Sequence, residues 1–215
     1  MARKKSALRR LPRQERGRRR IDKILDAADA VFARVGYESA TTNAIARQAK
    51  TSIGSLYQFF PNKEMILHAL ADRYLAELRA VHDAMLGEQA VRLPLPALYD
   101  RIIGSLAEFH ATHPAFQHLF YGSTTSAQLA AAASELKEEC IRRVDTLMAR
   151  RAPGLDPARR RWYATINVEV IKALLPLAQA GDPAFRAEML AEIKNLLLAH
   201  IRQALGPAAD AVPPA

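Results

Sequence analysis

Apolar residues recur at helical intervals along most of this chain. Ile21, Leu25, Ala28, Phe32 and Val35 follow a 4-3-4-3 spacing, the pattern of an amphipathic helix with one buried face. Gly36 follows the last of them, where a helix C-cap belongs. Thr41 or Thr42 caps a short helix to about Ala49, and a second short helix covers about Ser52 to Phe59. Pro61 and Asn62 separate these from a long helix, Lys63 to Leu86, which a loop at Gly87 to Leu93 ends. Pro94 to Pro96 open the next helix, to about His113, and Pro114 starts a shorter one to about Gly122. Thr124 or Thr125 caps a helix to about Arg151, which Pro153, Gly154 and Pro157 stop. A helix from about Ala158 to Ala180 is kinked or weakened at Pro176, and the last helix runs from the Gly181-Asp182-Pro183 turn to about Leu205. No segment shows clean period-2 alternation, so the expected fold class is all-α, with about nine helices.

Composition supports this reading. Ala and Leu supply 67 of the 215 residues, whereas Val, Ile and Thr supply 28, a balance that favours helix over sheet. The 50% hydrophobic content is that of a chain with a real core. One cysteine, Cys140, excludes an intrachain disulfide and any CxxC metal or redox pair. The longest apolar run, Leu129 to Ala133, is far short of the ~20 residues of a membrane span. The basic N-terminus is followed by no apolar stretch that a signal peptide would need. The expected location is cytoplasmic, with no membrane contact.

Charge is concentrated at one end. Residues 1–20 hold ten of the 31 Lys and Arg residues and one acid, Glu15, so they account for the whole formal net charge of +9. The expected organisation is a disordered basic arm over 1–17, a compact domain over 18–65, a larger helical domain over 66–206 and a flexible tail over 207–215. The arm is drawn to a polyanion, but by itself it does not choose between DNA, RNA and an anionic membrane surface.

Residues 42–60 form two short helices joined by a tight turn at Lys50 and Thr51. Ile45, Ala46, Ala49, Leu56 and Phe60 make the inner faces, and the small alanines permit close crossing. The outer face of the second helix carries Ser52, Ile53, Ser55 and Gln58, with Tyr57 at its edge, where a solvated helix would carry Lys and Glu. Either a DNA-reading helix-turn-helix or an ordinary helical hairpin satisfies this pattern.

A wider set of residues bears on the choice. Ala27-Ala28 and Phe32, Gly36-Tyr37, Thr41-Thr42, Ile45-Ala46, Ser52, Gly54, Ser55-Leu56-Tyr57, Phe60 and Asn62-Lys63-Glu64 stand at fixed spacing. On these residues, the stretch from Arg18 to Tyr74 resembles the DNA-binding domain of the TetR family of bacterial transcriptional regulators. The family's usual turn has Gly followed by an apolar residue, where this chain has Lys50-Thr51. The resemblance implies a dimeric, ligand-responsive regulator, in the first place a repressor of a pseudo-palindromic operator, with no cofactor and no enzyme activity. It implies DNA contacts from Thr41, Thr42, Lys50, Thr51, Ser52, Ile53, Gly54, Ser55, Tyr57, Gln58 and Lys63. Among these, Gln58 suits adenine and Ile53 suits a thymine methyl, while Thr42, Tyr57 and Lys63 suit phosphates.

The rest of the chain matches that family only in length and helix count. Core packing is the simpler account of the aromatics here; the resemblance implies a pocket for a small hydrophobic or aromatic effector among the middle helices, with Phe109, His113, Phe116, Phe120, Trp162 and Asn167 as its candidate lining. Apolar stripes stand at Ile166 and Val170, then Leu190, Ile193, Leu197 and Ile201; internal core accounts for them, and the resemblance implies a homodimer interface there instead. His110, His113 and His118 carry no acid or cysteine at metal-ligand spacing, so no metal is expected. Glu138 and Glu139 beside Cys140 point to an inert thiol. No P-loop, GxSxG, HExxH or GxGxxG string occurs, so an enzyme would need its residues to converge from distant helices.

Overall fold

The computed structural model describes residues 13–116 and 127–206. Among these residues the chain is helical without strands. Eight α-helices appear: α1 (Arg13–Ser39), α2 (Thr42–Gln48), α3 (Ile53–Tyr57), α4 (Lys63–Leu86), α5 (Leu95–Thr112), α6 (Ala127–Arg151), α7 (Pro157–Ala180) and α8 (Pro183–Leu205). A single 3-10 helix, Glu88–Arg92, lies where a plain loop was expected. Residues 114–116 are helical, as Pro114 implied, and the remainder of that expected helix lies outside the described residues, as do the Thr124 and Thr125 caps.

The expected stops and starts have specific atoms behind them. Thr41 caps α2 by accepting from Ala44 N at 3.1 Å, and Ser52 caps α3 by accepting from Ser55 N at 3.1 Å. Asn62 Oδ1 accepts from Met65 N at 2.8 Å at the start of α4. Asp156 and Asp182 cap α7 and α8, each followed by a proline at the first helical position. Gly36, at φ 73°, interrupts α1 and leaves a short last turn to Ser39. Pro176 is carried within α7.

Two boundaries differ from expectation. Helix α1 already begins at Arg13, so residues 13–17, assigned to a disordered arm, are helical. Gln14, Glu15 and Arg16 are good helix formers, and Pro12 precedes them as a natural start. The chain divides into compact units at Asp72 and Arg73, rather than after residue 65. Ile66, Leu67 and Leu70 of α4 are buried and belong to the first unit.

The first unit, through Asp72, has a core of Ile24, Leu25, Ala28, Val31, Phe32, Ile45, Leu56 and Phe60. In the second unit α7 packs against both α6 and α8, and α5 packs against α7 and α8. Arg151 closes the link before α5, where its Nη1 donates to the carbonyls of Ala90, Val91 and Leu93. No helix among the described residues is long and apolar enough to cross a membrane.

Candidate functional site

In the first unit, α2 and α3 cross through their small and apolar inner faces. Ile45, Ala46, Ala49, Leu56 and Phe60 are all buried, as their spacing predicted. The turn between them is held by Lys50 N donating to Arg47 O at 3.1 Å and Thr51 N donating to Ala46 O at 3.0 Å. That pair of bonds is a Schellman motif, which requires a left-handed residue after the helix cap. Lys50 takes that position at φ 51°, the only non-glycine with positive φ among the described residues. Its side chain is exposed.

The crossing turns one face of α3 to solvent. Ser52, Ile53, Gly54, Tyr57 and Gln58 are exposed, with Tyr57 at 49% and Ile53 at 37%. A Cβ built on Gly54 would meet nothing within 4 Å, so no neighbour in the protein demands a glycine there. The hydroxyls of Thr42 and Tyr57 share a hydrogen bond of 3.1 Å across the motif. Thr41 is exposed and Thr51 half-buried at the two ends of this face. Arg20 of α1, outside the expected site, donates from Nη1 to Ser55 Oγ at 3.4 Å. The basic charge of residues 1–20 was legible in sequence, but which residues reach α3 depends on the packing of the helices.

Lys63 is more engaged than expected. Its Nζ donates to Tyr37 O at 2.7 Å and to Glu38 O at 3.0 Å, and it sits 4.3 Å from the centre of the Tyr37 ring. An ammonium has three N–H groups, so one remains for another acceptor. Burial, helped by Glu64 and Glu38, raises the Tyr37 hydroxyl above its ordinary range.

The second unit holds a partly open cavity of about 360 Å³. Leu78, Met85, Leu98, Ile102, Leu106 and Leu175 supply much of its apolar wall. Of the candidate effector residues, Phe116 and Asn167 line it. Phe109, His113 and Trp162 do not, which corrects three expected positions. Phe109 is buried in an aromatic cluster, stacked on His113 at 4.3 Å and edge-on to Phe116 at 5.2 Å. His113 turns its Nε2 to Glu77 Oε2 at 2.6 Å and its Nδ1 to Phe109 O at 2.8 Å. Trp162 is 55% exposed and lies against Tyr163 and His200. Phe120 and His118 lie outside the described residues.

The polar lining of the cavity includes Tyr99, Asn167, His82, His110 and Cys140, with Lys137, Arg151 and Lys172 also on its wall. Tyr99 donates its hydroxyl to Asn167 Oδ1, while Asn167 Nδ2 donates to Tyr163 O at 2.9 Å. Burial raises the Tyr99 hydroxyl far above its usual range. Burial, with Arg143 adding to it, pushes His82 down to about 4, and burial with His113 nearby pushes His110 down to about 4. Cys140 Sγ lies 3.5 Å from His82 Nδ1, and burial, then Glu139, push its thiol up to about 12. Tyr99, His82 and Cys140 were not among the expected pocket residues. Tyr99 shares the helical face of Leu95, Leu98, Ile102 and Leu106, and that periodicity was the available signal.

The expected dimer stripe divides. Ile193, Leu197 and Ile201 are buried at 1–3% inside their own chain and so cannot also face a partner. Ile166, Val170 and Leu190 are half-buried. The exposed apolar side chains of these helices are Trp162 and Leu177 on α7, and Phe185 and Leu196 on α8.

Comparison with known proteins covers both units. The family described as "Bacterial regulatory proteins, tetR family" matches residues 24–70, and "Tetracyclin repressor-like, C-terminal domain" matches residues 94–200. Among curated proteins, the HTH-type transcriptional repressor KstR of Mycobacterium tuberculosis is 27% identical over 152 residues, 69% of this chain and 66% of that protein. The chain thus spans just under two thirds of that repressor's length. A solved TetR-family transcriptional regulator from Streptomyces coelicolor is 25% identical with a TM-score of 0.58, covering 86% of this chain and 99% of that one. A TetR-like regulator from Rhodococcus sp. RHA1 shares the fold at a TM-score of 0.69 and 19% identity, covering 92% of this chain and 100% of that one.

Proposed function

The chain belongs to the TetR family of bacterial transcriptional regulators, and on that footing we propose that it represses from a pseudo-palindromic DNA operator, bound as a homodimer. Its family and homologues are regulators of transcription, which are not enzymes. An operator on DNA gives it a cytoplasmic working place.

The observation that carries the DNA reading is the exposed face of α3, where Ser52, Ile53, Gly54, Tyr57 and Gln58 meet solvent with no carboxylate among them. In the major groove, Gln58 forms the bidentate pair with adenine and Ile53 packs on a thymine methyl. Ser52 and Ser55 keep hydroxyls for bases or phosphates. Gly54, with no packing reason to lack a Cβ, lets the helix approach the DNA closely. The joined hydroxyls of Thr42 and Tyr57 meet one phosphate, while Thr41, Lys50, Thr51 and the remaining N–H of Lys63 meet others.

The cavity of about 360 Å³ takes the effector. Its volume lies at the small end of ligand pockets, roughly 300–1,000 Å³. The mostly apolar wall suits a small hydrophobic or aromatic effector, and Lys137, Arg151 and Lys172 in the lining leave room for a polar or anionic group on it. Helix α4 carries the chain from the first unit into the second, and through it the occupied cavity disfavours the DNA-bound arrangement. The effector's leverage is its difference in affinity between the two states. The dimer forms through the exposed apolar face of α7 and α8, with Ile166, Val170 and Leu190 at its margin.

Fluorescence anisotropy tests the DNA reading. Duplexes tiled across the regions flanking the protein's own gene are titrated at about 150 mM salt against scrambled competitor, since non-specific binding weakens steeply with salt. Tight binding to one palindromic fragment, abolished in Tyr57→Ala, is the expected result. Equal, weak binding to every fragment would sink the operator reading. Small hydrophobic or aromatic compounds added to the bound complex are expected to release the DNA, and cationic analogues of the same compounds are not.

A further inference from the structure

We propose that the first turns of α1 form a second DNA-contacting surface, on which Arg16, Arg20 and Lys23 hold the phosphates flanking the groove that α3 enters. This rests on the DNA-binding reading above. Sequence puts Arg16 on a disordered arm over 1–17 and Arg20 and Lys23 in the compact domain that follows, whereas α1 begins at Arg13 and carries all three on one helix. At about 100° per residue, Arg16, Arg20 and Lys23 fall within roughly 60° of one another around the axis. Asp22 and Glu15 lie roughly a third of a turn from the centre of that face. All three cations are exposed, and none of them takes part in an ion pair among the described residues.

The direction of the face is set by one hydrogen bond. Arg20 Nη1 donates to Ser55 Oγ at 3.4 Å, which places the guanidinium at the edge of the exposed face of α3. A cation at the edge of a recognition helix meets the sugar-phosphate strand that borders the major groove. Arg16 and Lys23 extend the same stripe by one turn on either side, so the cations follow the strand rather than a single phosphate. Guanidinium groups suit phosphate oxygens through paired N–H donors. Cations held on a helix also give up less freedom on binding than cations on a tail.

The experiment is a salt titration of anisotropy with the full chain and a labelled duplex of random sequence, repeated with a selected high-affinity duplex. Arg16→Ala, Arg20→Ala and Lys23→Ala are each expected to make the slope of log affinity against log salt shallower by about 0.9, the share of one neutralised phosphate. Both duplexes should respond alike, because phosphate recognition carries no sequence information. Arg20→Lys keeps the charge and is expected to keep the slope, whereas Arg20→Gln flattens it. An Arg20→Lys slope as flat as that of Arg20→Gln would show that the charge is not what meets the DNA, and would overturn the proposal. Unchanged slopes in the Arg16 and Arg20 variants, with unchanged melting curves, would overturn it too. A wild-type protein that binds neither duplex would instead overturn the DNA-binding reading, and this inference with it.

Discussion

Lys50 carries a conflict between backbone and side chain. The Schellman bonds of Arg47 and Ala46 need a left-handed residue, and a non-glycine there costs about 1–2 kcal/mol, partly offset by the freer unfolded chain that glycine would bring. Lys50→Gly is therefore expected to stabilise the fold by about 0.5–1 kcal/mol in urea denaturation. If its ammonium meets phosphate, the same variant binds DNA more weakly and with a shallower salt dependence, so stability and affinity move in opposite directions. Gln58 behaves differently because its exposed amide holds no other part of the fold in place. Gln58→Ala is expected to leave the melting temperature unchanged and to relax specificity at one base pair by about 1–3 kcal/mol, read by competition with single-base operator variants. A uniform weakening over all variants would assign Gln58 to the backbone instead.

Short helices depend on their ends. Helix α3 has five residues, too few to be stable alone, and the Ser52 hydroxyl satisfies one of its free N–H groups at Ser55. Ser52→Ala is expected to destabilise the protein by about 1 kcal/mol, and local hydrogen exchange should quicken at Ser55 before it quickens in α1. Ser52→Asp retains the cap and should recover stability while repelling DNA, which separates the two uses of this position. At the same scale, α8 is apolar around much of its circumference. Ile193, Leu197 and Ile201 turn inward and Phe185 and Leu196 turn outward, so its periodicity alone left the inner face undetermined.

Two properties belong to the whole molecule. His82 and His110 are buried and neutral, with folded values of about 4 below the ordinary 6.5. Between those values the unfolded chain binds more protons than the folded one, so stability is full above pH 6.5 and falls away as pH drops toward 4. By pH 5 the deficit is on the order of 2 kcal/mol per imidazole, and thermal melting between pH 7 and pH 5 reads it. Replacing both histidines with Gln should flatten that profile. Assembly is the second property. Leu177 is 52% exposed on the same face of α7 as Ile166 and Val170, and a glutamate there places charge on a face that a dimer would bury. Leu177→Glu is expected to lower the sedimenting mass from twice the chain to once, with DNA affinity falling alongside. A wild-type monomer at the same concentration would refute the dimer.

Local physics reaches the helical class, most helix ends and the inner face of the α2–α3 pair, and all three are legible in the residue order. Periodicity sets a buried stripe, Gly and Pro punctuate, and short polar side chains cap. Gly36 as a helix stop and the tight turn at Lys50 and Thr51 were legible for the same reason, and the left-handed angle of Lys50 came with the structure. The same pattern put Ser52 and Gln58 on the outer face of the second helix with Tyr57 at its edge, and family resemblance gave that face a DNA partner. Packing governs what residues far apart in sequence do together. Tyr99 finds Asn167, Cys140 finds His82 and Lys63 reaches back to Tyr37 through an arrangement that no local pattern encodes. It moved Phe109 and His113 off the cavity wall and put Trp162 on the surface. It also turned Ile193, Leu197 and Ile201 into their own core, because an apolar stripe specifies burial without specifying the partner that buries it.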